Sequence, residues 1–369
     1  MTLFDCIAPC KLGLESLVTE ELRALGMEGI KTLNGEVHFS TDPAGLARAN
    51  LWLRMAERVL VRLSNFPATT FDELFEGVSE IGWEEFLPKD AHIRILAKCI
   101  KSQLMSERTC QSIAQKAIVE VMTRAHRQAW MPETGIEFKI HLIIQNDDVT
   151  VALDSSGAGL HKRGYRAQAG EAPLRETLAA ALVTLSGWNP SRALFDPFCG
   201  SGTIPIEAAM IGANIAPGLN RFFDAEQWPF IPSSVWKKAR QEAESKILHN
   251  SFLIHASDID GQVLQVARDN AIQAGIQEFI QFEEKSFETF RPAGERPIVI
   301  CNPPYGERLD DVEEAEAIYR TMASVFPPHK AQYFILTPHL DFQKLFARKA
   351  AKNRKLYNGK IKCYLYEYL

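Results

Sequence analysis

The sequence predicts an α/β protein: a doubly wound, parallel-sheet half that follows two smaller α+β units. Three observations predict it. A short apolar strand over 193–195 runs directly into Asp196-Pro197-Phe198-Cys199-Gly200-Ser201-Gly202-Thr203 and then a helix. A second strand, 252–256, ends in Ser257-Asp258-Ile259-Asp260 ahead of another helix. A third, 297–300, ends in Cys301-Asn302-Pro303-Pro304-Tyr305-Gly306. Strands that each end in a polar or glycine turn and feed a helix belong to sheets with helices packed on them.

The totals set outer limits. A length of 369 residues leaves room for two or three domains. The hydrophobic share of 46% and charged share of 24% are those of a globular protein with sizeable cores. A net charge of −5 does not announce a nucleic-acid binder, so any such surface must be a local patch. The seven cysteines are scattered, odd in number and without a C-x-x-C pair. That pattern fits free thiols in a reducing cytosol, not a disulfide frame or a zinc site. No His/Asp/Glu cluster has metal-ligand spacing, and His161 and His255 read as ordinary structural histidines. The start lacks the basic and apolar regions of a signal peptide, and no apolar run could span a bilayer. A cytoplasmic protein away from the membrane is expected.

Taken in order, residues 1–60 read β-α-β-α-β. A strand is expected over 3–8. A helix over 13–25 carries Leu14, Leu17, Val18, Leu22 and Leu25 at helical spacing, with Gly26 as C-cap. A half-buried strand follows over 35–40. Asp42-Pro43 then starts a helix, the acid as N-cap and the proline at the first helical position. Residues 59–63 form another strand. In the second unit, 61–155, a helix starts near Phe71 and a strand covers 92–99. A helix capped by Ser106 runs to about 127, and two strands close the unit at 136–144 and 148–153. Basic residues dominate here: Arg94, Lys98, Lys101, Arg108, Lys116, Arg124 and Arg127 against Glu107 and Glu120. They read as a solvated face or as a phosphate-tracking surface. Residues 156–171, with Gly157, Gly159 and the cations of His161-Lys162-Arg163-Gly164-Tyr165-Arg166, fit a linker or hinge touching a polyanion. From 172 the pattern becomes α/β, with Pro173 starting a helix that runs to about 185.

The turns at these three strand ends carry the chemistry. Gly200 and Gly202 remove Cβ atoms where a nucleotide-like ligand must approach backbone N–H groups. No lysine follows as in a triphosphate-binding loop, and the full dinucleotide pattern is absent, so a less negatively charged ligand is favoured. Asp196 can pair with a positive ligand group or hold the turn. Asp258 stands where a ribose diol is held, although about 60 residues past the glycine turn; an insertion over 213–250 accounts for the distance. Asp260 reads as a helix-start carboxylate. In the third turn, the Asn302 amide, the proline-flanked carbonyls and the flat face of Tyr305 suit a planar group bearing an exocyclic amine. An ordinary strand-ending turn would use the same prolines.

Together, Asp196 to Gly202 and Asn302-Pro303-Pro304-Tyr305 resemble the cofactor loop and amine-binding motif of the class I S-adenosylmethionine-dependent N-methyltransferases. His161-Lys162-Arg163-Gly164-Tyr165-Arg166, Ala172-Pro173-Leu174-Arg175-Glu176 and Leu356-Tyr357-Asn358-Gly359-Lys360 resemble, more narrowly, the THUMP-containing bacterial 23S rRNA guanine-N2 methyltransferases. Members of that group are often labelled adenine-N6 DNA methylases, because the tetrad is shared. The resemblance spans essentially the whole chain. It implies a ferredoxin-like domain over 1–60, a THUMP RNA-binding domain over 61–155, a linker over 156–171 and a Rossmann-like class I methyltransferase domain over 172–369. It also implies S-adenosylmethionine as cofactor, S-adenosylhomocysteine as product, and 23S rRNA or a precursor of the large ribosomal subunit as partner. By the same resemblance, Asp196, Pro197, Phe198, Gly200, Gly202 and Thr203 form the methionine and ribose side of the cofactor site. Asp258 holds the ribose hydroxyls and Ile259 packs on adenine. Ser286 stands where relatives use an aspartate for the adenine amine, and Phe287 stacks on adenine. Asn302, beside the cofactor, and the Pro303 carbonyl accept from the substrate amine; Pro304 stiffens the turn and Tyr305 stacks on the extracted base. Two other readings share the sequence: an adenine-N6 methyltransferase on RNA or DNA, and a non-catalytic RNA-binding ribosome-assembly factor. The oligomeric state is not readable.

Overall fold

The chain, seen in a computed structural model that describes residues 3–166, 174–305 and 309–369, builds two seven-stranded sheets. The elements of the first half are β1 (Phe4–Pro9), α1 (Glu15–Ala24), β2 (Glu28–Leu33), β3 (Glu36–Thr41), α2 (Pro43–Trp52), β4 (Leu60–Pro67), α3 (Phe71–Ser79), β5 (His92–Ile100), α4 (Glu107–Ala125), β6 (Glu137–Gln145) and β7 (Asp148–Asp154). Their sheet runs β2-β3-β1-β4-β7-β6-β5, so β4 joins both expected N-terminal units into one surface. Local chemistry sets the helix starts. Asp42 accepts from the Gly45 N–H at 2.7 Å, Ser106 caps α4, and Thr70 with Glu73 forms a capping box on α3. The sequence pattern did not flag β2; five of its six residues are exposed, which leaves no apolar alternation to detect.

Two sequence expectations change here. The basic residues of the second unit do not share one surface. Ile93 and Ile95 face the core with Ala114 and Ala117 of α4. Strand alternation therefore turns Arg94 and Lys98 to the opposite, open face. Those on α4 are ordinary solvated charges, with Arg124 paired to Glu120 at 2.9 Å. Nor is the described part of 156–171 a hinge. Ser155 and Ser156 are fully buried and exchange hydrogen bonds with Asn50 of α2 at 2.9 and 2.6 Å. Arg221 donates to the carbonyls of Ser156, Ala158, Gly159 and Lys162. Arg163 is 3% exposed and grips Glu207 with two nitrogens at 3.1 and 3.2 Å. That cation is engaged inside the fold and not offered to a polyanion.

The second half contains α5 (Glu176–Leu185), β8 (Leu194–Asp196), α6 (Thr203–Gly212), α7 (Ser233–Ser245), β9 (Ile254–Asp258), α8 (Gly261–Gln273), β10 (Ile280–Glu284), β11 (Ile298–Cys301), α9 (Leu309–Val325), β12 (Gln332–Thr337), α10 (Phe342–Leu345), β13 (Lys352–Asn358) and β14 (Ile361–Tyr368). The sheet order is β10-β9-β8-β11-β12-β14-β13, parallel through β12 and antiparallel at β14 and β13. Strand order reverses between β8 and β11, which places a topological switch point at their C-terminal ends. The segment 213–250 does separate α6 from β9. Its aromatics pack into the first half: Phe230 meets Phe4 and Phe86, and Trp228 stacks on Phe138. One apolar core runs from the first sheet into the second as a result. No helix among the described residues is long and apolar enough to cross a membrane. The expected helix start at Ala172-Pro173 and the motif residue Gly306 lie outside the described residues.

Candidate active site

Three strand ends converge at the switch point. β8 delivers the glycine turn, in which Gly200 and Gly202 take φ of +52° and +82°. These values favour glycine. At Gly202 a Cβ would also lie only 3.1 Å from the Ala267 Cβ of α8. The turn is tied to its neighbours: the Cys199 N–H donates to the Ser257 carbonyl at 3.0 Å. Asn270, buried in α8, donates to the Ser201 carbonyl at 3.1 Å.

β9 delivers Asp258. Its Oδ2 accepts from the Gly200 N–H at 2.9 Å and its Oδ1 from the Asp260 N–H at 3.1 Å. The carboxylate thus clamps the glycine turn to the end of the second strand. Asp260 is the helix-start group expected of it, accepting from Gln262 and Val263 at the head of α8. β11 is buried at all four positions and releases the chain at Asn302, which is half-buried. Pro303 and Pro304 themselves have no backbone N–H, so this stretch cannot rejoin a ladder.

Between these ends lies a cleft of about 590 Å³. Of the residues expected in the site, Pro197, Phe198, Gly200, Asp258, Ile259, Ser286, Phe287, Asn302 and Pro304 line it. Ile259 is 73% exposed, an apolar side chain standing on the cleft wall. Phe287 lies against Phe198 with ring centroids 4.8 Å apart. Ser286 Oγ already accepts from the Glu288 N–H at 3.3 Å, so one of its lone pairs is engaged locally. Asp196, Gly202, Thr203, Pro303 and Tyr305 do not line the cleft. Gly202 opens α6, and the Thr203 hydroxyl accepts from Arg166 at 2.6 Å. Glu288, Glu314 and Ile318 line it without having been picked out from sequence. Glu314 and Ile318 sit one turn apart on α9, an i,i+4 pair that could have been sought on the helix following the motif.

Asp196 is buried beneath this site at 1% exposure. Its Oδ1 accepts from the Phe198 N–H at 3.1 Å, while Oδ2 has no hydrogen-bond partner among the described residues. Burial pushes its carboxyl well above the usual carboxylate range, and the negative charge of Asp258 adds to that. An unpaired, buried carboxylate oxygen is costly. A cationic ligand group would relieve it, so the residues present fit a cofactor that carries an ammonium or sulfonium. Cys199 and Cys301 are both buried, and burial raises both thiols; neither has the exposed, electropositive surroundings of a nucleophile.

Comparison with known proteins places this geometry in context. Residues 163–367 match the RMKL-like methyltransferase domain, 5–60 the RlmL ferredoxin-like domain and 68–154 the THUMP domain. The chain is 45% identical over 372 residues to Bacillus subtilis (strain 168) YpsC, named as a candidate RNA methyltransferase, covering 100% of this chain and 96% of that one. It is 35% identical over 373 residues to the ribosomal RNA large subunit methyltransferase K/L of Photobacterium profundum, covering 97% of this chain and 52% of that relative. The chain therefore spans about half the length of the K/L protein. Among solved structures, SMU.472, described as a candidate methyltransferase in complex with S-adenosylhomocysteine, superposes with a TM-score of 0.93 at 39% identity. That match covers 100% of this chain and 98% of SMU.472.

Proposed function

We propose that this chain, which belongs to the RMKL-like methyltransferase family, transfers a methyl group to the exocyclic N2 of a guanine in 23S rRNA. The fold is that of an S-adenosylmethionine-dependent methyltransferase with ferredoxin-like and THUMP domains in front. What carries the finer reading is the meeting of Asn302 and Pro304 with Gly200 and Asp258 across one cleft, behind a THUMP-bearing half. The K/L relative supports large-subunit rRNA as the substrate.

When bound, the cofactor supplies an activated methyl on a sulfonium. The chain's own residues do the rest. Asp258 would hold the ribose hydroxyls, Ile259, Ser286 and Phe287 would surround the adenine, and the Asp196 carboxyl beneath the glycine turn would offset the cofactor's positive charge. A guanine N2 amine is a poor nucleophile because its lone pair is delocalised into the ring. Accepting its two N–H groups at the Asn302 side-chain oxygen and the Pro303 carbonyl draws the nitrogen toward tetrahedral geometry and localises the lone pair. Tyr305 stacks on the base once it has left its helix. Positioning and electrostatics supply the rate; no covalent nucleophile is required.

The test is direct. Purified protein is incubated with unmodified 23S rRNA and methyl-labelled S-adenosylmethionine, and the RNA is digested to nucleosides. Label in N2-methylguanosine is expected. Label in N6-methyladenosine would move the reading to the adenine chemistry that the same tetrad serves.

A further inference from the structure

Behind the Asn302-to-Tyr305 turn runs a chain of hydrogen bonds whose direction is fixed at both ends. The His339 backbone N–H donates to Thr337 Oγ1 at 3.2 Å. Thr337 Oγ1 and Tyr319 Oη lie 3.0 Å apart. Tyr319 Oη donates to the Pro304 carbonyl at 2.8 Å. A backbone N–H can only donate, a carbonyl can only accept, and each hydroxyl has one proton. Tyr319 must therefore direct its proton to Pro304, and Thr337 must give its own to Tyr319. The relay joins the end of β12, the loop after it and α9 to the turn that leaves β11. Tyr319 and Thr337 are both 0% exposed, so their hydroxyls are shielded from bulk water, whereas Pro304 itself lies at the surface. Burial holds the Tyr319 phenol up at about 12, so it remains a donor across the physiological range. Its ring is held edge-on by His339 and Phe342, at 5.6 and 5.0 Å.

The consequence for the turn is geometric. A residue has two soft dihedrals, and the proline ring already fixes φ at Pro304. Holding its carbonyl fixes ψ as well. The plane of the Pro304–Tyr305 peptide, and with it the point from which the Tyr305 ring departs, is then fully set. We propose that Tyr319 is a positioning residue for methyl transfer, acting through the Pro304 carbonyl to fix where Tyr305 meets the target base. This rests on the reading above that Tyr305 stacks on that base.

Full-length Tyr319→Phe, Thr337→Val and the double variant are assayed for kcat and KM with unmodified 23S rRNA and for cofactor affinity by calorimetry. Tyr319→Phe lowers kcat by roughly 10- to 100-fold, the cost of a small misplacement near the reacting atoms. Its cofactor affinity stays within about twofold of wild type, because the Tyr319 hydroxyl bonds Pro304 and Thr337 and not the glycine turn. Thr337→Val acts in the same direction but less, and the double variant is no worse than Tyr319→Phe, since both changes break one relay. Wild-type kcat in Tyr319→Phe, a fall in cofactor affinity parallel to kcat, or additive losses in the double variant would each overturn the proposal. If Tyr319→Phe does not fold, Thr337→Val carries the test, and an unchanged kcat there overturns it. Should the wild-type enzyme methylate a different amine, the guanine reading fails, and the same comparison on that amine still decides the role of Tyr319.

Discussion

Asn302 leaves a strand whose four residues are all buried, and it enters a turn that two prolines stiffen. Its amide is therefore presented at a fixed point on the cleft. Asn302→Ala removes the acceptor without opening the cofactor loop, so methyl transfer should be abolished while S-adenosylmethionine affinity stays within a few-fold. Turnover near wild type would remove Asn302 from the reaction. Asp196 makes a second prediction, through pH. Only the ionised carboxyl can hold a cation, and burial raises its pKa. Cofactor affinity should strengthen as pH rises from the ordinary carboxylate value of about 4 through the raised pKa, then level off. Without ligand the sign reverses for folding. The contribution of Asp196 to stability is full below its unfolded pKa and is lost as pH rises through the folded one. Calorimetry across pH on wild type and Asp196→Asn checks this, with the slope expected to vanish in the variant. At this scale the sequence was informative wherever a residue type has few uses, as in Asn-Pro-Pro-Tyr or a glycine at positive φ. It said nothing of Tyr319, whose role depends on α9 folding back against a turn 15 residues earlier.

Among the elements, β5 and α4 separate charges that the sequence groups together. Arg94 and Lys98 lie on the open face of the first sheet, whereas Arg108, Lys116 and Arg124 ride on the helix that covers the other face. If RNA tracks along the open face, Arg94→Ala and Lys98→Ala should each reduce the salt slope of RNA binding by about 1. Arg108→Ala and Arg124→Ala should leave it unchanged. Equal effects from both sets would place the RNA elsewhere. Helix starts such as Asp42, Ser106 and Asp260 were legible because a cap is a local hydrogen bond. The sidedness of the charges was not, because it follows from which face α4 packs on.

Across the whole molecule, the halves are bolted together and not hinged. Arg163 pairs with Glu207 at 1% and 0% side-chain exposure and also donates to the Arg54 carbonyl at 2.7 Å. Arg163→Ala strands a buried carboxylate, and a loss of about 3–5 kcal/mol is expected in chemical denaturation. A loss under about 1 kcal/mol, the size of a surface ion pair, would show that the link is not structural. The sequence suggested a linker or hinge over 156–171 because glycines and cations usually mean exposure. Here Glu207, Asn50 and Arg221 supply partners from distant parts of the chain, which no local pattern reveals. The same packing sets the THUMP-bearing half beside the cleft; under the proposed function the first half would select the RNA and the Asn302 turn the atom. The measurement that tests this most directly is mass spectrometry of 23S rRNA nucleosides from a strain lacking the protein. N2-methylguanosine should fall, and the wild-type gene should restore it while the Asn302→Ala gene does not. An unchanged N2-methylguanosine level, or loss of N6-methyladenosine in its place, would contradict the account.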